Sequence, residues 1–299
     1  MKLGLAYFGG YDQQKVDLEK EMGLQYVISG ATQLDPSLPA QSLESLSLLK
    51  KAYADQGLTL SIIEGPTPLD KVKLGLPGAE EELEVFKDLL RNCVKLDIRT
   101  ICYNCMRVLG GFRTRTDIPT RGGATVTGFD QRDMEGVADT WAGKVPQERL
   151  WQTLEAFLRE IVPLCEELGV RLALHPDDPP VPSLRGIGRI LTSAAAFDRV
   201  FSLYDSPMNG MTFCQGCFAT MGEDMELVVK LHVYCRENGR AYRIRYVTDA
   251  VCWTQVPVRL GDLCRQRRRW HIGLFQSMTK YRNILANPKY GAVSFVSYF

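Results

Sequence analysis

Leu172-Ala173-Leu174-His175-Pro176-Asp177-Asp178-Pro179-Pro180 is the most informative run of residues in this chain. Val170, Leu172 and Leu174 alternate into it with the period of a strand that buries one face. The prolines then stop both ladder and helix, because they bring no N–H and a fixed φ. One imidazole and two carboxylates therefore fall where a buried strand passes into its loop, the place where a parallel barrel presents its reactive groups. Downstream, Gly210-Met211-Thr212-Phe213-Cys214-Gln215-Gly216 reads as another short strand, ending in a cysteine. Imidazole nitrogen and thiolate sulfur suit a first-row transition metal, whereas magnesium or calcium would require an oxygen cage. A structural histidine, an inert buried thiol and a turn-forming Asp177-Asp178 pair remain open at this level.

Working outward, strands and helices alternate. Strands are expected at Leu3 to Phe8, Tyr26 to Ser29, Leu58 to Ile63, Arg99 to Tyr103, 170–174 and 210–214. Helices are expected around Gln13 to Met22, at 41–56 with Leu43, Leu46 and Leu49 on one face, at 79–95, and from Pro146 to Leu168 with a kink at Pro163. Such alternation predicts an α/β fold with a parallel sheet, and its spacing a (β/α) TIM-type barrel. With six recognisable strands the barrel is incomplete. A loop from Leu109 to Lys144, carrying Arg113, Arg115, Asp117, Arg121, Gly122 and Gly123, is too long for a plain connector. Its arginines would suit a carboxylate substrate.

Composition narrows the class. The chain has 299 residues, 45% hydrophobic and 24% charged, enough for one large or two small globular domains. No apolar run reaches the ~18 residues of a membrane span, and the N-terminus leads into no signal-peptide pattern, so a cytoplasmic protein is expected. Nine cysteines, an odd number, fit reduced thiols better than a disulfide framework. The net charge of +1 conceals an asymmetry: from Cys235 onward twelve Lys and Arg face three Asp and Glu, a balance of +9. A boundary between units or a basic tail is the usual meaning. The Arg265–Arg269 run lacks interleaved aromatics apart from Trp270, so no nucleic-acid partner is expected. Cys102-x-x-Cys105 and Cys214-x-x-Cys217 mimic zinc-ribbon pairs, but more than a hundred residues separate them.

Four blocks, LSIIEGPTPLDKVKLGLPG (Leu60–Gly78), ICYNCMRVLGGFRTRTD (Ile101–Asp117), LALHPDDPP (Leu172–Pro180) and NGMTFCQG (Asn209–Gly216), resemble mannonate dehydratases in the same order. The resemblance covers about residues 1–222. It implies a TIM-type barrel and a divalent metal, Mn2+ or Fe2+. It further implies metal-dependent removal of water from D-mannonate to give 2-keto-3-deoxy-D-gluconate, a small sugar acid, in hexuronate catabolism. Residue by residue, His175 and Cys214 match metal ligands. Asp177 and Asp178 become acid/base candidates, and Tyr103, Asn104, Arg113 and Arg115 substrate-binding candidates. The family's remaining ligands lie on the last two barrel strands, in motifs that do not follow Cys214, which implies an impaired enzyme. Oligomeric state stays open.

From about residue 222 the resemblance changes. Gly222–Leu227 (GEDMEL), Tyr242–Pro257 (YRIRYVTDAVCWTQVP) and Gln266–Trp270 (QRRRW) resemble the C-terminal part of a family 2 glycosyltransferase. There Asp224 would act as the base on an acceptor hydroxyl. Two domains are therefore expected, a dehydratase-like barrel over 1–222 and an α+β, basic, glycosyltransferase-like segment over 223–299. The alternatives to the dehydratase are a glycosyltransferase fragment and an inactive chimera of two unrelated sequences.

Overall fold

The computed structural model describes residues 2–65, 67, 69–106, 108–120, 123–221 and scattered positions between 233 and 290. Asp224 and nearly all of the glycosyltransferase-like motifs lie outside the described residues. In chain order the elements are β1 (Gly4–Tyr7), α1 (Gln13–Glu21), β2 (Tyr26–Ser29), α2 (Leu43–Ala54) and β3 (Thr59–Glu64). There follow α3 (Asp70–Leu74), α4 (Ala79–Lys95), β4 (Thr100–Asn104), β5 (Arg115–Pro119) and β6 (Thr125–Gly128). The series ends with α5 (Gln147–Leu168), β7 (Arg171–His175), β8 (Ser183–Leu184), β9 (Ile187–Gly188), α6 (Ala194–Leu203), β10 (Asn209–Met211) and α7 (Gln215–Met221).

Two compact units emerge: Met1–Phe112 with Asp130–Cys214, and Arg113–Phe129 with Gln215–Phe299. The first holds a six-stranded sheet in the order β1-β2-β3-β4-β7-β10, and every neighbouring pair is parallel. These are the six strands expected from the alternation. Among the described residues the sheet has edges at β1 and β10, as six strands of an eight-stranded barrel would.

Local chemistry explains the helices. Asp12 accepts hydrogen bonds from the Gln14 and Lys15 amides at the start of α1, and Ser42 accepts from Ser45 N at 3.1 Å to start α2. Helix α5 runs through Pro163 as one 22-residue element and stops at Gly169, whose φ of 65° is the left-handed conformation that glycine adopts without penalty. That stop delivers the chain straight into β7.

The main core lies between the sheet and its outer helices. Leu60, Ile63, Ile101, Tyr103, Leu172 and Leu174 point outward from the strands and are buried with Leu49, Phe86, Leu89, Phe157, Leu158 and Ile161 of the helices. Phe157 lies at its centre, with ring centroids 5.5 Å from Phe86 and 5.3 Å from Tyr103. Phe157→Ala is expected to cost about 3–5 kcal/mol, read as a lower denaturant midpoint at unchanged m-value. A change in m-value instead would show that the variant alters compactness rather than packing.

The second unit contains the antiparallel β5–β6 hairpin and α7, and a small apolar cluster of Ile284 and Tyr290 whose Tyr290 hydroxyl donates to Glu237 at 2.9 Å. The hairpin shows that the long loop expected over 109–144 carries strands of its own. Its two arms flank Gly123, whose φ of 78° suits a reversal of direction.

Candidate metal site at the mouth of the sheet

The pleat decides which residues can meet. On β7, Leu172 and Leu174 face the helices, so Ala173 and His175 lie on the other, concave face. Register extends this to β4, where Cys102 lies opposite Ala173 and Asn104 opposite His175. A contact across β7 agrees with that face: Cys102 Sγ of β4 and Thr212 Oγ1, the residue just past β10, are 3.0 Å apart.

His175 ends β7 half-buried, and its Nδ1 is 2.7 Å from the Pro176 carbonyl oxygen. A carbonyl can only accept, so Nδ1 carries the proton and the Nε2 lone pair is left for a ligand. Cys214 arrives from the adjacent strand. Thr212 N donates to Leu174 O at 2.9 Å, and Cys214 N turns back to Thr212 O at 3.0 Å. The result brings a ring nitrogen of His175 and the sulfur of Cys214 within 4.8 Å of each other. Burial would lower the His175 pKa, but its hydrogen bonds to Cys214 and Pro176, together with the nearby Cys214 and Glu64, raise it overall. The two donors predicted from sequence thus converge, and their N,S chemistry fits a first-row divalent ion. The described cysteines are all free thiols.

The other sequence candidates divide. Asn104 sits beside His175 in register, its carboxamide oxygen accepting from Met106 N at 3.1 Å. Asp178 is half-buried in the loop after β7; its carbonyl accepts from Phe112 N at 3.1 Å and its amide lies 3.2 Å from Met106 Sδ.

Asp177 is fully buried. Its carboxylate accepts from Ile190 N at 2.8 Å and Leu191 N at 2.7 Å and pairs with the buried Arg189 at 3.4 Å. It clamps the loop, with its oxygens engaged by two amides and a guanidinium. Tyr103 is also corrected. Odd parity on β4 turns its ring outward onto Phe157 and away from the concave face. Arg113 and Arg115 belong to the other unit, Arg115 exposed at the start of β5.

Glu64 went unremarked in the sequence reading. It closes β3, pairs in register with Cys102, and its charge is felt by both Cys102 and His175. The available signal was positional: a lone carboxylate at the last residue of an apolar strand.

Comparison with known proteins identifies the family. The family model for D-mannonate dehydratase (UxuA) matches residues 1–142 and 138–242, twenty residues past the boundary expected at 222. Mannonate dehydratase of Streptococcus equi subsp. zooepidemicus is 30% identical over 273 residues, covering 83% of this chain and 74% of that one. Mannonate dehydratase 2 of Halalkalibacterium halodurans is 30% identical over 241 residues, covering 72% and 69%. The crystal structure of mannonate dehydratase from Streptococcus suis serotype 2 superposes with a TM-score of 0.68 at 31% identity, covering 77% of this chain and 68% of that one. No helix among the described residues is long and apolar enough to cross a membrane. On family model, identity and superposition together, this chain belongs to the D-mannonate dehydratase family.

Proposed function

We propose that this chain removes water from D-mannonate to give 2-keto-3-deoxy-D-gluconate with a divalent metal held by His175 and Cys214. The convergence of those two donors at the strand ends carries the proposal. When bound there, the metal supplies Lewis-acid stabilisation for the negative charge that builds on the substrate carboxylate. Mn2+ and Fe2+ are the metals proposed, iron being the better match to imidazole and thiolate and manganese to nearby carboxylate oxygens.

The reaction breaks the C2–H bond, moves its electron pair into a C2–C3 double bond, and expels the C3 hydroxyl as water once that oxygen is protonated. The resulting enol becomes the ketone by proton transfer to C3. Asp178 and Glu64 are the carboxylates proposed to move those protons. Asp178 sits in the loop that follows His175, and Glu64 lies on the concave face in register with Cys102. Asn104, beside His175, is placed to orient a substrate hydroxyl or carboxylate. Arg113 and Arg115 are proposed as carboxylate-binding groups on the strength of their guanidinium chemistry alone.

The division at residue 222, with a glycosyltransferase-like 223–299, rests on sequence motifs alone, and the dehydratase family model crosses that division. The function is tested with protein loaded with Mn2+ or Fe2+ and D-mannonate, following the 2-keto acid. Turnover that stops on chelation and returns with metal is expected. Metal-loaded, folded protein without turnover would exclude the dehydratase.

A further inference from the structure

Cys214 lies three residues beyond the short strand β10, which is an edge of the sheet among the described residues. The last register pair on that edge is Met211 with Leu174. Past it Phe213 is 49% exposed, so the segment that carries Cys214 is not locked by core packing, and such segments are where local opening starts. Thr212 stands between the ladder and Cys214. Its amide donates to Leu174 O at 2.9 Å, and its carbonyl accepts from Cys214 N at 3.0 Å. One step beyond the Met211–Leu174 pair, it is level with His175 on the concave face. Its hydroxyl adds ties that the ladder does not require. Oγ1 is 3.2 Å from Ala173 O and 3.0 Å from Cys102 Sγ, reaching β7 and, across it, β4. The crossing is open because Cys102, Ala173 and Gly210 form one row in register, and the middle residue has only a methyl group.

We propose that Thr212 is a positioning residue of the metal site, whose hydroxyl pins the segment carrying Cys214 to β7 and β4 and so sets the separation of the Cys214 sulfur from the His175 ring. The proposal rests on the reading of His175 and Cys214 as metal donors. A hydroxyl has one hydrogen and a carbonyl can only accept, so Thr212 donates to Ala173 O and receives the Cys102 thiol hydrogen. The hydroxyl thus points back along β7, away from the strand ends where the donors meet, and acts on a metal through Cys214 rather than as a ligand. A site built on these two donors depends on both being in place before the ion arrives, because ordering a loose donor costs free energy at every binding event. Valine at 212 has nearly the same shape and neither of the hydroxyl's hydrogen bonds. It leaves the Cys214 segment to its backbone bonds at an open edge, and takes from the Cys102 thiol the acceptor it has here.

The test uses the whole chain, freed of metal by chelation and titrated with Co2+, whose thiolate charge-transfer absorption reports a sulfur ligand without any turnover. Wild type is expected to develop that absorption, and Cys214→Ala to lack it. Thr212→Val is expected to bind Co2+ roughly 10–100-fold more weakly, and Thr212→Ser, which returns the hydroxyl, to recover wild-type binding. A purely structural hydroxyl would give a different pattern: a lower melting temperature for metal-free Thr212→Val, with Co2+ affinity as in wild type. That pattern overturns the role of Thr212 while leaving His175 and Cys214 as donors. A wild-type protein without the absorption, or one that keeps it after Cys214→Ala, overturns the donor reading and the role of Thr212 with it. Should Thr212→Val fail to fold, Thr212→Ala is titrated in its place, with the same weakening expected and the same unchanged affinity as the overturning result.

Discussion

Alanine at His175 or Cys214 is expected to strip the purified protein of its divalent metal and to lower kcat/KM for D-mannonate by about 10³-fold or more. One donor ends β7 and the other lies three residues beyond the neighbouring β10, and each is aimed by its own backbone contact: His175 by the Pro176 carbonyl, Cys214 by the turn onto Thr212. Neither side chain is part of the apolar core, so both variants keep the fold, and the loss is specific to metal and turnover. Cys214→Ser retains the shape but replaces a soft sulfur by a hard oxygen, and weakens retention of a first-row metal. Cys102→Ser supplies the contrast. Its thiol lies on the same concave face, but burial and the adjacent Glu64 push its pKa up and so disfavour the thiolate that a metal needs, and its replacement is expected to leave metal content unchanged. Metal content measured on all four proteins decides the assignment. Full metal in His175→Ala, or loss of metal in Cys102→Ser equal to that in Cys214→Ala, would remove it.

The strands, and with them the place where His175 and Cys214 meet, were legible because a parallel barrel writes each strand as a short apolar run between helices. The run from Val170 to Leu174, stopped by prolines, could be little else. The roles of Tyr103 and Asp177 were not legible, for two different reasons. For Tyr103 the motif marks the right strand end, but the pleat assigns neighbouring residues to opposite faces, and one position decides between substrate and helix layer. Counting from buried Ile101 would have placed Cys102 and Asn104 inward and Tyr103 outward. For Asp177 the decisive partner, Arg189, is twelve residues away in a loop without periodicity, and nothing in local sequence reports that they meet. The hairpin within 109–144 was missed because a search for barrel strands favours apolar runs, whereas Arg115–Pro119 and Thr125–Gly128 are largely exposed.

Asp177→Ala is expected to destabilise the protein by about 3–5 kcal/mol, the range for a buried pair that loses one partner. Three things are lost together: the ion pair with Arg189, and the acceptors for the Ile190 and Leu191 amides. Arg189, with its side chain 1% exposed, is then a buried charge without its counter-ion. The pair is not itself a strong source of stability. Burial raises the Asp177 carboxyl in spite of Arg189 and lowers Arg189 in spite of Asp177, and Arg189 Nε has no partner among the described residues. Desolvation therefore rivals attraction at both ends. Asp177→Asn combined with Arg189→Met, which keeps an acceptor for the two amides and removes both charges, is accordingly expected to recover most of the stability lost in Asp177→Ala. Catalysis should not recover with it. Arg189 also donates to Gly110 O at 3.1 Å, so it ties the loop after β4 to the loop that follows His175 and carries Asp178. Freeing that tie displaces proposed proton-transfer groups, and a shift of about 1 Å is enough for a ~10²-fold loss. Denaturant unfolding and steady-state kinetics on the same preparations separate the two effects. A double variant that regains stability and full kcat/KM would show that Arg189 serves the fold alone.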